Sequence, residues 1–401
     1  MTERVGKGKK LREQRSTKFH ETRGQFRFRV ERTLADVTPG NFLFGFFALL
    51  CLFLILKTPD NAIRYVHAGL RLCAKTIIPT LFPFMVLSEL IVSGGTLRVM
   101  AATISSPFRK LFRLPEAGCC AVLLGMICGF PIGARCAMIA YREGQLSREE
   151  TERVLAFSNM PSSGFLITAV GVSLWGNRAF GIALYVSVLL SATVTGILFA
   201  HLPKRGTSVA ERIVLAPTKE RKGVTLFTEA VRSSGQSMLT VCCYVIFFSA
   251  LMGTLRPVTD ALRLPESVCA AIGCSLELSG GMSLAAGLTD PQIAAMLCAF
   301  AAGWSGLSVH CQVISVCDGY GLRFRLYFLG KLLQSSLCPL FFFLFTRLCP
   351  KLLIPAQQAI GWNPEPFRLS LFSVACLLSF AVALMLCGWR FLSDQRKGNR
   401  R

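Results

Sequence analysis

The chain has 401 residues, of which 52% are hydrophobic and 16% charged, whereas about a quarter of the residues of a soluble domain are charged. With a mean hydropathy of +0.51, this composition excludes an ordinary soluble protein and predicts a polytopic membrane protein. The formal charge of +22 is spread between the apolar runs and over both chain ends, which follows the positive-inside rule and gives no indication of a nucleic-acid partner.

Cysteine and histidine form no pattern that is typical of a metal site. The 17 cysteines lie mostly within apolar runs without a C-x-x-C pair, and the four histidines have no ligand spacing with them. The sequence also lacks a Ser-His-Asp series and a Walker loop. We therefore expect no enzyme, no metal and no other cofactor.

The apolar runs predict an all-α bundle of membrane helices. They lack the alternating pattern of outer-membrane strands, and a segment inside a bilayer must satisfy its own backbone polar groups. Residues 1–40 hold eleven Lys or Arg against five acidic residues and are predicted to be a basic cytoplasmic tail that suits anionic lipid headgroups. About eight to ten membrane segments follow, at residues 41–57, 77–92, 118–141, 154–175, 179–201, 238–255, 267–288, 292–316, 326–348 and 367–392.

Two parts of the chain resemble each other. RLPEAGCCAVLLGMICGFPIG, which starts at Arg113, matches RLPESVCAAIGCSLELSGG, which starts at Arg263. SREETERVLAFSNMPSSG likewise matches TDPQIAAMLCAFAAGWSG, and Ser147-x-x-Glu150 and Thr289-x-x-Gln292 each predict a capping box at a helix start. Chance alignment of apolar helices does not readily give two R-L-P-E tetrapeptides, so we predict an internal repeat.

Charge gives the two repeats opposite orientations. If the N-terminal tail, a basic connector at 202–225 and a basic tail at 393–401 are all cytoplasmic, the first repeat starts outside and the second starts inside. The predicted repeats, residues 62–201 and 226–349, are therefore inverted. Inverted repeats with discontinuous or re-entrant helices are typical of secondary transporters, whose solute sites lie near the midplane.

The motif GFPIGAR interrupts an apolar segment of the first repeat. Pro131 removes a helical hydrogen bond, and Gly129 and Gly133 ease the departure from helical geometry. A break inside a membrane is tolerated where it lines a wet cavity, and the half-helix that follows it presents free N–H groups to an anion. Arg135 would add a cation there, although a packing kink with Arg135 reaching the interface explains the same residues.

The second repeat carries LELSGG opposite this motif. Gly280 and Gly281 align with the first break, and Ser279 precedes them. Glu277, an acid inside an apolar run, suits a proton or cation site, or a hydrogen bond to a neighbouring helix.

Further helix breaks are predicted in FSNMPSSG and AAGWSG, where small hydroxyl residues and glycine let a helix restart, although small-residue packing has the same composition. The candidate binding residues there are Asn159, Ser162, Ser163, Gly164, Ser305 and Gly306. Glu89 and His310 are further candidates for proton coupling, against the simpler readings of an interfacial acid and a core histidine.

Several motifs taken together resemble a known family. PTLFPFMVLSELI (Pro79–Ile91), GFPIGA, YREGQLSREETERVLAFSNMPSSGFL and AAGWSGLSVHCQV are closely similar to the sporulation integral membrane proteins of the YlbJ type, also called stage V sporulation protein V. These belong to the nucleoside-recognition or Gate domain group. The resemblance covers about residues 68–348 and implies inverted repeats with re-entrant hairpins, like those of concentrative nucleoside transporters.

The resemblance also implies a function. Members of this sporulation branch are associated with moving dipicolinate, a small aromatic dianion, across the outer forespore membrane of a spore-forming bacterium. We expect a transporter of a small organic anion, with dipicolinate favoured. A nucleoside-type carrier and a non-transporting scaffold for spore-envelope assembly are the alternatives, and a homo-oligomer is left open.

Overall fold

The computed structural model describes residues 39–93, 108–201 and 223–349, which form helices joined by turns, with no strand among them. The predicted all-α polytopic membrane fold is confirmed. The predicted tails at 1–40 and 393–401, the connector at 202–225 and the last span at 367–392 lie outside the described residues, apart from a few at their boundaries.

The chain divides into two compact units, Met1–Pro59 and Asp60–Arg401. In the described part of the first unit, helix α1 (Pro39–Lys57) has 19 residues, enough to span the roughly 30 Å of a hydrocarbon core. Its large apolar side chains are exposed, Phe44 by 76%, as suits a helix surrounded by lipid.

The second unit begins within α2 and contains the remaining described helices. In chain order these are α2 (Pro59–Leu72), α3 (Ile78–Ser93), α4 (Glu116–Cys128), α5 (Ile132–Arg142), α6 (Arg148–Ser158), α7 (Arg178–Ala200), α8 (Val224–Ala261), α9 (Glu266–Leu276), α10 (Leu278–Ala286), α11 (Pro291–Trp304), α12 (Gly306–Val316) and α13 (Arg325–Leu348). Two π-helical segments, Cys73–Ile77 and Phe165–Leu174, accompany them.

The described residues of this unit contain four short breaks between consecutive helices within the predicted motifs. Residues 129–131 separate α4 from α5, and residues 159–162 separate α6 from the helical turn that leads into the second π-helical segment. Glu277 alone separates α9 from α10, and Ser305 alone separates α11 from α12. The breaks at GFPIG and FSNMPSSG therefore fall where the sequence places them.

In the second repeat the break positions differ from the expected ones. Gly280 and Gly281 lie inside α10, which already starts at Leu278, so the helix does not restart after the glycine pair. A Cβ atom at Gly281 would overlap the backbone of Cys274, so this glycine permits close packing of α9 on α10. The expected break in AAGWSG is confined to Ser305, because Ala301–Trp304 complete α11.

The two R-L-P-E segments share their local geometry. Arg113 and Arg263 both have φ of 50°, and the proline of each segment is the N-cap of the next helix. The expected capping box is present at Ser147 and Glu150. At α11, however, the N-cap is Asp290 and not Thr289, since Pro291 fits the first helical position and moves the helix start by one residue.

Four described helices are long and apolar enough to cross a membrane, or five if one consecutive pair counts as a single span. They are Arg178–Ala200, Val224–Ala261, Pro291–Val316 and Arg325–Leu348. The predicted number also counts residues 367–392, which lie outside the described residues. Within the described residues, several apolar segments are divided into short helices, among them Glu116–Cys128 and Glu266–Leu276.

The core of the second unit consists of two apolar clusters. One is built largely on α4, α5 and α6, and the other on the second π-helical segment and on α7, α9, α10, α11 and α13. Met126 and Phe130, at and beside the first break, pack against both clusters. The broken helices therefore lie where the two clusters meet.

Candidate functional site

The helix breaks contact one another. The backbone N–H of Phe130 donates to the carbonyl oxygen of Met160 at 2.9 Å, which joins the two breaks of the first repeat. Gly129, with φ of 79°, lies directly against Ser162. In the second repeat Gly306 also has φ of 79°, and a Cβ atom there would lie 3.0 Å from the backbone nitrogen of Leu278. Glycine at these two positions lets the backbones pack together at the breaks.

A narrow cavity lies beside the breaks. Its polar lining residues are Ser162, Glu277, Ser279 and Gln312, and its apolar ones are Ile77, Leu81, Phe130, Phe165, Val241, Val245, Leu278 and Val309. The cavity measures about 390 Å³ with its open edges, but the centre of a water molecule can occupy only about 20 Å³ of it. That space holds one or two water molecules. A larger solute therefore requires the surrounding helices to move apart.

Glu277 is buried and caps the helix that follows it. Its carboxylate accepts hydrogen bonds from the backbone N–H groups of Ser279 at 3.0 Å and Gly280 at 2.6 Å. A carboxylate at this position also complements the positive end of the dipole of α10. These two N–H groups, which belong to candidate binding residues, are thus occupied by the chain's own acid.

Ser162 and Gln312 provide the other polar groups of the cavity. The Ser162 hydroxyl accepts from the N–H of Phe165 at 3.2 Å and caps the following helical segment. The amide nitrogen of Gln312 donates to Ser308 at 3.4 Å, but its amide oxygen has no hydrogen-bond partner within the described part of the chain. An acceptor that is buried in this way favours a donor on a ligand or a water molecule.

Arg135 and Glu89 pair with each other, outside the residues that line the cavity. The guanidinium lies 2.8 Å from the Glu89 carboxylate and donates to the hydroxyls of Ser233 at 2.6 Å and Ser237 at 2.7 Å. This network joins α3, α5 and α8. The candidate substrate cation and one candidate proton-coupling acid therefore stabilise each other in this state.

The sequence analysis missed Lys331, the cation at the centre of the second unit. Lys331 is completely buried in α13, and its ammonium group donates to the carbonyl oxygen of Asn159, to the hydroxyl of Ser305 at 3.2 Å and to the side-chain oxygen of Gln334 at 3.4 Å. Asn159 and Ser305 belong to breaks of different repeats. A charged residue inside a 24-residue apolar helix is the signal that could have identified it.

The remaining candidates of the first repeat have structural contacts. Pro131 is the N-cap of α5, and Gly133 lies against the carbonyl oxygen of Ser158. Asn159 caps the end of α6 and donates to Leu155, while the Ser163 hydroxyl donates to Ile127 at 3.4 Å. Gly164 has ordinary helical angles.

His310 lies in the core near Lys331. Its Nδ1 atom is 2.8 Å from the Tyr327 hydroxyl oxygen, and its ring packs edge-on against Trp304. Three of the candidate polar side chains line the cavity, namely Ser162, Glu277 and Ser279. The others do not, namely Glu89, Arg135, Asn159, Ser163, Ser305 and His310. The described residues contain no group of three or more His, Cys, Asp or Glu side chains that could hold a metal ion.

Comparison with known proteins identifies a relative. Over 319 residues, the chain is 28% identical to the sporulation integral membrane protein YlbJ of Bacillus subtilis (strain 168), with 72% of this chain and 78% of that protein covered. No family model and no solved structure matches the chain. The motifs that suggested this resemblance, from Pro79 onward, lie mainly around the helix breaks. The chain is therefore an integral membrane protein that is similar to the sporulation integral membrane protein YlbJ.

Proposed function

We propose that the protein is a secondary transporter or facilitator for a small organic solute. The observation that carries this proposal is the meeting of broken helices from both predicted repeats beside one buried cavity, because irregular backbone inside a membrane is tolerated where it lines a pathway. In this proposal one repeat moves against the other and exposes the cavity to each side in turn. No catalytic reaction is involved.

The proposed solute is a small planar anion, and dipicolinate is the leading candidate. The similarity to the sporulation protein YlbJ supports this choice. The proposed location is the outer forespore membrane. The same proposal has the basic chain ends bind anionic lipid headgroups. It leaves the oligomeric state open.

A nucleoside-type solute is the second candidate, because the lining of the cavity favours it. Among the described residues that line the cavity, none is a lysine or an arginine. Glu277 and Gln312 offer acceptors for hydroxyl or amine donors, and Phe130 and Phe165 offer apolar faces for a planar ring. A neutral ring with donor groups would satisfy these residues without a cation.

The test is uptake of radiolabelled dipicolinate and of a radiolabelled nucleoside into liposomes that contain the purified protein. Val245→Trp fills the cavity, whereas Leu340→Trp on α13 changes a side chain that is 51% exposed and serves as the matched control. We expect saturable dipicolinate uptake that Val245→Trp abolishes and Leu340→Trp retains. Uptake of the nucleoside alone would favour the second candidate. If folded, correctly inserted protein moved neither solute, the scaffold for spore-envelope assembly would replace transport.

A further inference from the structure

Lys331 is coordinated in the manner of a bound cation. The three oxygen atoms that accept from its ammonium group come from three elements: the carbonyl at the end of α6, the hydroxyl between α11 and α12, and the amide of Gln334 on α13. All three are neutral, and no carboxylate of the described chain lies within salt-bridge distance of it. Arg135, in contrast, has its charge matched by Glu89.

These oxygen types are those that sodium and other hard monovalent cations prefer. Unwound carbonyls and the C-terminal ends of half-helices coordinate such ions in secondary transporters. The carbonyl of Asn159 is an end of this kind, because Asn159 is the C-cap of α6. The side-chain oxygen of Asn159 is also buried and lacks a partner among the described residues, so a further ligand is available at the same residue.

The ammonium group of lysine is a compact point charge that resembles a small cation. We propose that the helix breaks form a monovalent-cation site at Asn159, Ser305 and Gln334, and that the ammonium group of Lys331 occupies it as a covalently tethered ion. The protein therefore binds no sodium ion there, and the tethered charge holds breaks of the two repeats together. One consequence rests on the proposed transport function: solute flux through this protein does not depend on a sodium ion bound at this site.

The first experiment measures stability and requires no transport. Lys331→Ala removes the tethered ion and leaves the oxygen ligands in place. In detergent at constant ionic strength, sodium, ammonium or methylammonium chloride should raise the melting temperature of this variant by several degrees relative to choline chloride, since choline is too large for the space. The original protein should show no such difference. The matched control is Phe342→Ala on the same helix, which empties an apolar space that small cations should not fill.

A second variant separates charge from volume. Lys331→Met fills most of the space without charge, so it should melt lower than the original protein and should not respond to the small cations. If Lys331→Met is as stable as the original protein, the positive charge is not used and the proposal is overturned. The proposal is also overturned if Lys331→Ala responds to none of the cations, or if it fails to fold in all of them while Lys331→Met folds.

A flux measurement then tests the consequence for transport. Uptake by the original protein should be equal in sodium and choline buffers, whereas uptake by Lys331→Ala should be recovered several-fold by sodium or methylammonium. Sodium-dependent uptake by the original protein that Lys331→Ala abolishes in every buffer would contradict the tethered-ion role and leave the transport function standing. A complete lack of uptake would contradict the transport function, while the melting experiment would still decide the cation site.

Discussion

Glu277 has two properties that normally belong to different residues. It is the helix cap of α10, because it accepts from two backbone N–H groups, and it lines the cavity. Asp290 makes the same pair of bonds at the exposed start of α11, with the N–H groups of Gln292 and Ile293, and is not among the residues that line the cavity. The two acids therefore form a matched pair for separating the role of a cap from the role of a ligand.

We predict that Glu277→Ala and Asp290→Ala each lower the free energy of unfolding by about 1 kcal/mol, the usual cost of a lost N-cap. Thermal melting in detergent checks this change. Solute uptake should fall only in Glu277→Ala, because only this residue faces the cavity. Equal uptake by both variants would reduce Glu277 to a structural cap.

Arg135 and Glu89 form a largely buried ion pair, in which each side chain is 16% exposed. We predict that Arg135→Gln lowers the free energy of unfolding by about 3 kcal/mol, because the Glu89 carboxylate is left without its charge partner. The double variant Arg135→Gln with Glu89→Gln should recover much of this loss. Denaturation of the purified variants measures both effects.

An exposed ion pair supplies the control for that prediction. Arg256 contacts Glu266, whose side chain is 68% exposed, so Arg256→Gln should cost less than about 1 kcal/mol. Uptake by the stable double variant decides the role of Arg135 in binding. If uptake is lost although stability is recovered, Arg135 binds the solute directly; if uptake returns, its role is to hold α3, α5 and α8 together.

At the scale of single residues, the sequence indicates which residues are unusual, but not which groups they contact. Arg135, Glu89 and Glu277 stand out because charges inside apolar runs are costly. The partners of Arg135 are on helices distant in sequence, and Ser233 and Ser237 are neighbours only because α8 presents every fourth residue on one face. Lys331 carries the same signal as Arg135, but it lies inside the continuous helix α13, so no helix break draws attention to it.

At the scale of elements, the packing of the first break depends on glycines that touch backbone. A Cβ atom at Gly125 of α4 would overlap the carbonyl oxygen of Ser158, whereas a Cβ atom at Gly235 of α8 would meet nothing within 4 Å. Both glycines are inside helices, so alanine improves helix propensity at each by up to about 1 kcal/mol. The two positions differ in the space that surrounds them.

We therefore predict opposite signs for two identical substitutions. Gly125→Ala should lower the free energy of unfolding by about 1–3 kcal/mol, because the end of α6 must move away from α4. Gly235→Ala should be neutral or slightly stabilising. Melting temperatures measured side by side check the prediction, and a stable Gly125→Ala variant would contradict the close packing of α4 against α6.

The breaks themselves show what local sequence determines. Proline with flanking glycines correctly predicts the break at GFPIG, since both residue types disfavour helix locally. Gly280 and Gly281 suggest the same but are helical. The missing side chain of Gly281 permits contact with Cys274 of α9, and Gly280 faces Met252 of α8. The true break at Glu277 depends on a carboxylate that caps the next helix, and the sequence does not mark it because glutamate is not among the residues preferred at an N-cap.

For the whole molecule, the orientation of the repeats stays a prediction. The turn before α6 and the turn before α11 occupy equivalent places in the two predicted repeats. Gln145 in the first turn and Gln292, just after the second turn at the start of α11, are both exposed. In inverted repeats these turns face opposite sides of the membrane. A parallel arrangement would put them on the same side.

We predict that a membrane-impermeant maleimide applied from one side labels Gln145→Cys or Gln292→Cys, but not both. The background should carry serine in place of the natural cysteines, beginning with the exposed Cys243 and Cys349. Labelling of both variants after detergent solubilisation is the control for reactivity. Labelling of both from one side of intact vesicles would show that the repeats are not inverted.

The narrow cavity also bears on the electrical behaviour of the membrane that holds the protein. Space for one or two water molecules cannot form a continuous column of water across a bilayer, so the cavity that these described residues line offers neither protons nor salt ions a conducting route in this state. A planar bilayer containing the protein should therefore keep the resistance of bare lipid between turnovers. A spore-forming cell could then hold such a protein in a membrane without discharging the voltage across it.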